Sequence, residues 1–138
     1  MRTQIFISMI VLLLAQTSSC INNQKTSDAK EKSDHVELMS ANVIGEYLGS
    51  LPCVDCESIN TLLELRRDNS YKLTYTYEGK SDDTFVKQGY WKINKNQLVL
   101  HGVDYQYKIQ EDRLYQLDLS GNEIRGDLAQ KYQLAKIR

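Results

Sequence analysis

From residue 59 onward, apolar and polar positions alternate with a period of two, the spacing of an extended chain with one buried face. Ile59, Thr61, Leu63 and Leu65 share one face, opposite Asn60, Leu62, Glu64 and Arg66. A turn at Arg67 to Asn69 leads into Tyr71, Leu73, Tyr75 and Tyr77, set against Lys72, Thr74 and Thr76. After a second turn, Gly79 to Asp83, Gly89, Trp91 and Ile93 alternate with Tyr90 and Lys92, and Asn94-Lys95-Asn96 returns the chain into Leu98 and Leu100. The later runs are Tyr105, Tyr107 and Ile109, then Tyr115, Leu117 and Leu119, then Tyr132 and Leu134; one more strand passes through Tyr47 before Pro52. Short strands between polar turns predict an all-β antiparallel meander of about eight strands. Eight such strands can close into a small barrel and so remove exposed sheet edges, an open sandwich being the alternative. The only proline, Pro52, falls outside every predicted central strand. Gly121 to Gln130 reads as a short helix or an irregular crossover.

The first forty residues follow other rules. Arg2 precedes an apolar stretch from Ile5 to Ala15, which as helix would span about 16 Å, roughly half of a bilayer core. That fits an export signal better than a permanent anchor. Thr17-Ser18-Ser19-Cys20 then resembles a bacterial lipoprotein signal: residues 1–19 are removed and Cys20, lipidated, becomes the first residue. Acyl chains on Cys20 would hold the protein at a membrane by apolar burial. An ordinary signal peptide would instead leave Cys20 a free thiol, open to stray pairing in an oxidising compartment. Residues 20–42 are rich in Asn, Lys, Ser, Asp and Glu, with no aromatic residue, and predict a flexible tether. Residues 43–138 form the domain.

With 17 Lys+Arg against 18 Asp+Glu, the formal net charge is -1. That argues against nucleic acid as a partner, because phosphate recognition needs a basic surface. The aromatic set is nine Tyr, two Phe and one Trp, so the inward faces are richer in hydroxyls than a dry core usually is. In one account Tyr71, Tyr75, Tyr77, Trp91, Tyr105, Tyr107 and Tyr115 line a partly wet cavity for a small apolar ligand. In the other the rings fill the core and the hydroxyls reach the barrel rim.

Pro52-Cys53-Val54-Asp55-Cys56 places two thiols three positions apart in a loop. Such a pair can form a tight disulfide, or offer a soft ion such as Cu(I) two ligands. After export the oxidised pair is expected. A thioredoxin-like centre is disfavoured, because Asp55 and Glu57 surround the cysteines with negative charge and no βαβ unit is present. His35, Met39 and His101 lack ligand spacing to the pair. The chain has no phosphate-cradling glycine loop, GxSxG elbow or paired carboxylates, so neither an enzyme nor a cofactor is expected.

The run Gly45-Glu46-Tyr47-Leu48-Gly49-Ser50-Leu51-Pro52-Cys53-Val54-Asp55-Cys56, continued by Leu63, Leu65, Tyr71, Gly89-Tyr90-Trp91, Leu117-Asp118, Gly121, Ile124, Tyr132 and Leu134, resembles the N-terminal domain of the NlpE family. The resemblance implies a small barrel reminiscent of bacterial lipocalins, with the CxxC pair at one end matching Cys53 and Cys56. It also implies an envelope lipoprotein, palmitoylated and anchored at the outer membrane, linked to copper tolerance and envelope stress. Full-length members add a second, OB-type domain implicated in signalling; the chain is expected to stop after the first. The partners expected are a membrane, through the lipidated N-terminus, and an unidentified envelope protein or small ligand. The alternatives are a lipocalin-like carrier and a thiol-based metal or redox sensor.

Overall fold

The computed structural model describes residue 35 and residues 37–138; the signal, Cys20 and the first part of the expected tether lie outside them. The strands are β1 Gly45–Leu51, β2 Ser58–Leu65, β3 Ser70–Glu78, β4 Thr84–Asn94, β5 Gln97–Leu100, β6 Gln106–Gln110, β7 Arg113–Gln116 and β8 Gln133–Lys136. Each pairs antiparallel with its neighbours in sequence, and β8 returns to β1, closing a barrel of eight strands.

Closure buries the inward set that the period of two marks out. Leu63, Leu73, Leu98, Leu114 and Leu134 are buried with the rings of Tyr47, Tyr71, Trp91 and Tyr107. The polar ends of most of these rings find backbone acceptors. Tyr47 donates to the carbonyl of Val43 at 2.9 Å, Tyr71 to that of His101 at 2.9 Å, and the Trp91 indole to that of Ser70 at 3.1 Å. A buried hydroxyl without such a partner would cost about 1–3 kcal/mol. Gly89 lets the ring of Tyr71 cross beside it, since a Cβ there would lie 2.5 Å from the carbonyl oxygen of His101 and 2.9 Å from that ring.

Three expectations need correction. The tether does not run to Asn42: residues 37–43 are helical and Val43 is buried against the core. Tyr105 precedes β6 and is 37% exposed. Most consequentially, Tyr115 does not face inward. In β7 Leu114 is the buried residue; the strand then ends at Gln116, and Leu117 is buried from an isolated bridge to Glu123. The parity counted back from Leu117 and Leu119 breaks there, and Leu119 is 80% exposed. The Gly121 to Gln130 crossover is irregular, followed by a single 3-10 turn at Ala129–Lys131.

The wall is uneven. β2 pairs with β3 from Ser58–Glu78 to Leu65–Tyr71 and β3 with β4 from Ser70–Tyr90 to Thr76–Thr84, whereas β5 pairs with β6 only from Gln97–Lys108 to Val99–Gln106. One side of the barrel is therefore tall and the other low. At the base, the helix at 37–43 packs Val43 against the core and the Arg138 carbonyl accepts from the Glu46 N–H; the opposite end is the mouth.

Two outcomes test this packing. Leu114→Ala is expected to cost about 2–5 kcal/mol in a urea unfolding curve, and Leu119→Ala no more than about 0.5 kcal/mol; equal losses would restore the other parity. Burial, and secondarily the charge of Asp112, pushes the Tyr47 phenol up to about 12 from 10.0. The folded state thus holds this proton more tightly than the unfolded one, so its contribution is complete below pH 10 and lost as pH rises toward 12. Thermal melts should show a midpoint falling across that window, with a smaller fall in Tyr47→Phe.

Candidate functional site

The mouth is built by the two longest connections of the tall wall. The β1–β2 loop carries the cysteine pair, and a disulfide joins Cys53 and Cys56 with Cα atoms 5.4 Å apart. It returns to the sheet through the Glu57 N–H, which donates to the Glu78 carbonyl at 2.9 Å. The β3–β4 turn lies against it. Gly79 takes a positive φ of 76° there, and a Cβ would lie 2.8 Å from the Glu57 side chain. Lys80 forms an ion pair with Asp55, and that hydrogen bond holds the exposed Asp55 carboxyl below the usual carboxylate range. Val54 projects from the tip into solvent.

Beneath this loop an aromatic cluster forms on the inner face of the hairpin. Tyr75 stacks on Phe85 with centroids 5.4 Å apart, and Tyr77 meets both edge-on at 5.7 and 5.6 Å. Tyr105 approaches from the low wall; burial raises its phenol first, and the hydroxyls of Tyr75 and Tyr77 add to this. Phe85 remains 40% exposed, so the cluster presents apolar area to solvent.

Behind it lies a pocket of about 70 Å3, lined by Leu51, Pro52, Thr61, Tyr75, Tyr105 and Tyr107 among others. That is space for bound water and is well below the roughly 300 Å3 that a drug-sized apolar ligand fills. Tyr107 and Gln116, paired across β6 and β7, both border it. The Gln116 Oε1 is buried without a hydrogen-bond partner among the described residues, and burial pushes the Tyr107 phenol up. A polar pair facing a small void is a site for bound water.

The seven aromatics expected to share a cavity are thus divided. Tyr75, Tyr105 and Tyr107 line the pocket, and Tyr77 belongs to the rim cluster. Tyr71 and Trp91 lie deeper, as packed core. Tyr115 lies outside the wall, in a groove of about 290 Å3 with Lys108, Glu123 and Ile124. Phe85, which the structure pairs with Tyr75, is not marked by the sequence, because the residues of β4 before Gly89 are exposed on both faces.

Among the described residues, Cys53, Asp55 and Cys56 bring three ligand atoms within 4.8 Å of one another, and His35 and His101 are not part of that group. Joined in a disulfide, the two sulfurs are not thiolate ligands, and Lys80 occupies the carboxylate. Reduction is the condition for metal chemistry at this loop.

Comparison with known proteins agrees with the geometry. A family model described as the NlpE N-terminal domain matches residues 47–127. Lipoprotein NlpE of Escherichia coli K12 is 31% identical over 122 residues, which cover 85% of this chain and 50% of that protein. The chain therefore spans about half the length of the curated relative it matches. A Shewanella oneidensis protein assigned as a lipoprotein has a crystal structure that superposes with a TM-score of 0.62 at 39% identity, covering 67% of this chain and 87% of that one. The crystal structure of the E. coli Cpx pathway activator NlpE gives a TM-score of 0.54 at 32% identity, over 60% and 46% respectively.

The disulfide closes a loop of four residues, too short to restrict the unfolded chain much. Replacing both cysteines by Ser is expected to lower unfolding free energy by about 2 kcal/mol or less, while hydrogen exchange at the Glu57 amide accelerates. A loss beyond about 4 kcal/mol would make the pair a support of the whole barrel rather than of its mouth.

Proposed function

Because the chain belongs to the NlpE family through that family's N-terminal domain, we propose that it is a non-enzymatic envelope lipoprotein, anchored by lipidated Cys20 at the outer membrane, whose barrel mouth docks a protein partner in envelope homeostasis. One observation carries the choice of a docking surface over a carrier. The pocket behind the inward-facing rings holds only about 70 Å3, whereas the aromatic side chains Tyr75, Tyr77 and Phe85 are gathered at the rim. A carrier places its apolar area inside a cavity of about 300 Å3 or more. A docking module places it on the surface, where rigid aromatic rings serve as anchors. The segment before the helix at 37–43 supplies the tether that lets an anchored barrel reach its partner.

A second reading is supported by the Cys53, Asp55 and Cys56 cluster. Copper tolerance would follow if the disulfide, taking two electrons and two protons from a dithiol reductant, released two thiols; as thiolates these would suit Cu(I). Titration of the reduced domain with Cu(I) tests this. Binding lost in the double Ser variant supports it, and binding indifferent to the cysteines removes it.

Photo-crosslinking in cells tests the main reading. A crosslinker at Phe85 should capture a discrete envelope protein, and one at Lys95, on the basal β4–β5 turn, should not. Capture at both positions or at neither defeats the docking surface. The intact mass of the membrane-extracted chain should begin at acylated Cys20, and Cys20→Ala should release the protein from the membrane; an unmodified Cys20 defeats the anchor.

A further inference from the structure

The tall wall leaves part of one strand without a neighbour. β4 pairs with β3 along Thr84 to Tyr90, but with β5 only along Trp91 to Asn94. The backbone bonds fix which residues face which side. The Trp91 N–H donates toward β3, to the Asn69 carbonyl at 2.8 Å, while the Tyr90 carbonyl accepts from the His101 N–H at 2.8 Å on the β5 side. Alternation along an antiparallel ladder then turns the N–H and C=O groups of Thr84, Val86 and Gln88 away from β3. Beyond His101 the low wall leaves the ladder, through Gly102 at a positive φ of 91°. No described backbone group bonds to the free side of these three residues.

We propose that this overhang, Thr84 to Gln88, is a strand-addition site that takes an extended peptide segment of a partner protein bearing an acidic residue two positions before an apolar one. The unpaired row of three donors and three acceptors is complementary to an extended backbone and to no other secondary structure. Side chains supply the rest. Phe85 and Lys87 share the inner face, both exposed. On an antiparallel partner, the residue opposite Lys87 precedes by two the residue opposite Phe85. An acidic group there meets the ammonium, and an apolar one extends the Tyr75–Phe85 stack. Lys87 also blunts the edge against wholly apolar strands. The proposal rests on the mouth as a docking surface and names what docks there. A second copy of this chain is the weaker occupant, since five residues of edge pairing fall short of the area of a stable dimer.

The probe is the capped peptide Thr-Glu-Thr-Phe-Thr, titrated into the 15N-labelled domain. Amide shifts confined to Thr84, Val86, Gln88 and their β3 neighbours are expected. Val86→Pro removes an outward donor without breaking the β3 ladder, and should weaken binding at least tenfold. Lys87→Glu should reverse the preference toward the peptide with Lys in place of Glu. If Val86→Pro does not fold, the same peptide N-methylated at its inner amides, offered to the unaltered domain, should bind at least tenfold more weakly than the parent. Shifts centred elsewhere, equal binding of the N-methylated peptide, or a concentration-dependent dimer through β4 without peptide would each overturn the proposal. A crosslink at Phe85 that persists after such a result would leave the mouth a docking surface and dismiss only the strand addition.

Discussion

Closure of the barrel depends on the seam between β1 and β8, where among the described residues the ladder amounts to Tyr47 with Lys136 and Leu48 with Ala135. Two pairs are a short ladder for a wall that must stay shut, and the seam is extended by neighbours. The Glu46 N–H donates to the Arg138 carbonyl at 2.9 Å, and the Ile137 N–H to the Glu46 carbonyl at 2.8 Å. The Lys136 ammonium reaches the Asn42 carbonyl at 2.7 Å while lying 5.8 Å over the Tyr47 ring. Tyr47 takes part in the ladder, the cation contact and the hydroxyl bond that holds the base helix through Val43. The helix outside the barrel is thus part of what closes it.

A base tied in this way has a consequence at the other end. The deep rings are consumed in filling the lower barrel: the Tyr47 hydroxyl ends on the Val43 carbonyl of the base helix, and that of Tyr71 on the His101 carbonyl just past β5. Higher up, the low wall of β5 to β7 provides too few inward residues to cover the tall wall. Tyr75, Tyr77 and Phe85 consequently pack on each other and only partly on the core. The disulfide and the Lys80–Asp55 pair brace the loops above this cluster. An exposed ion pair adds little stability, so the bracing fixes shape at the mouth more than it strengthens the fold.

Most of this was legible from a period of two. The strands around Leu63, Leu73 and Trp91 were read with the correct face inward, because each run of alternation is long enough to state its own parity; the four-residue strands around Leu98 and Leu134 were read correctly because their own leucines are the buried residues. The reading failed in one short strand, where an apolar residue beyond its end misled the count. β7 has four residues, and Leu117, buried from outside the strand, carried the count to the wrong face and placed Tyr115 inside. Wall height was not legible at all, since the extent of pairing depends on where the opposite strand stops. β4 was correspondingly read only from Gly89. The residues before Gly89 carry exposed side chains on both faces, and a strand without a buried face shows no alternation of burial to detect.

The cysteine loop was legible for a different reason: its chemistry is local. Two cysteines three apart can meet whatever the rest of the chain does, and the order of strands only decides what they meet beside. Here they lie beside the β3–β4 turn, through Glu57 and Gly79, at the end of the barrel where the aromatic cluster is incompletely covered. Had the interior held a cavity of ligand size, the same loop would have been a lid over it. With about 70 Å3 beneath it, the loop covers a space for water and not for a ligand, and the surface it shapes is what another molecule can reach. A small barrel filled largely by its own side chains presents its chemistry chiefly at its rims and unpaired edges. In this chain the aromatic cluster, the disulfide and the free side of β4 all lie at one mouth.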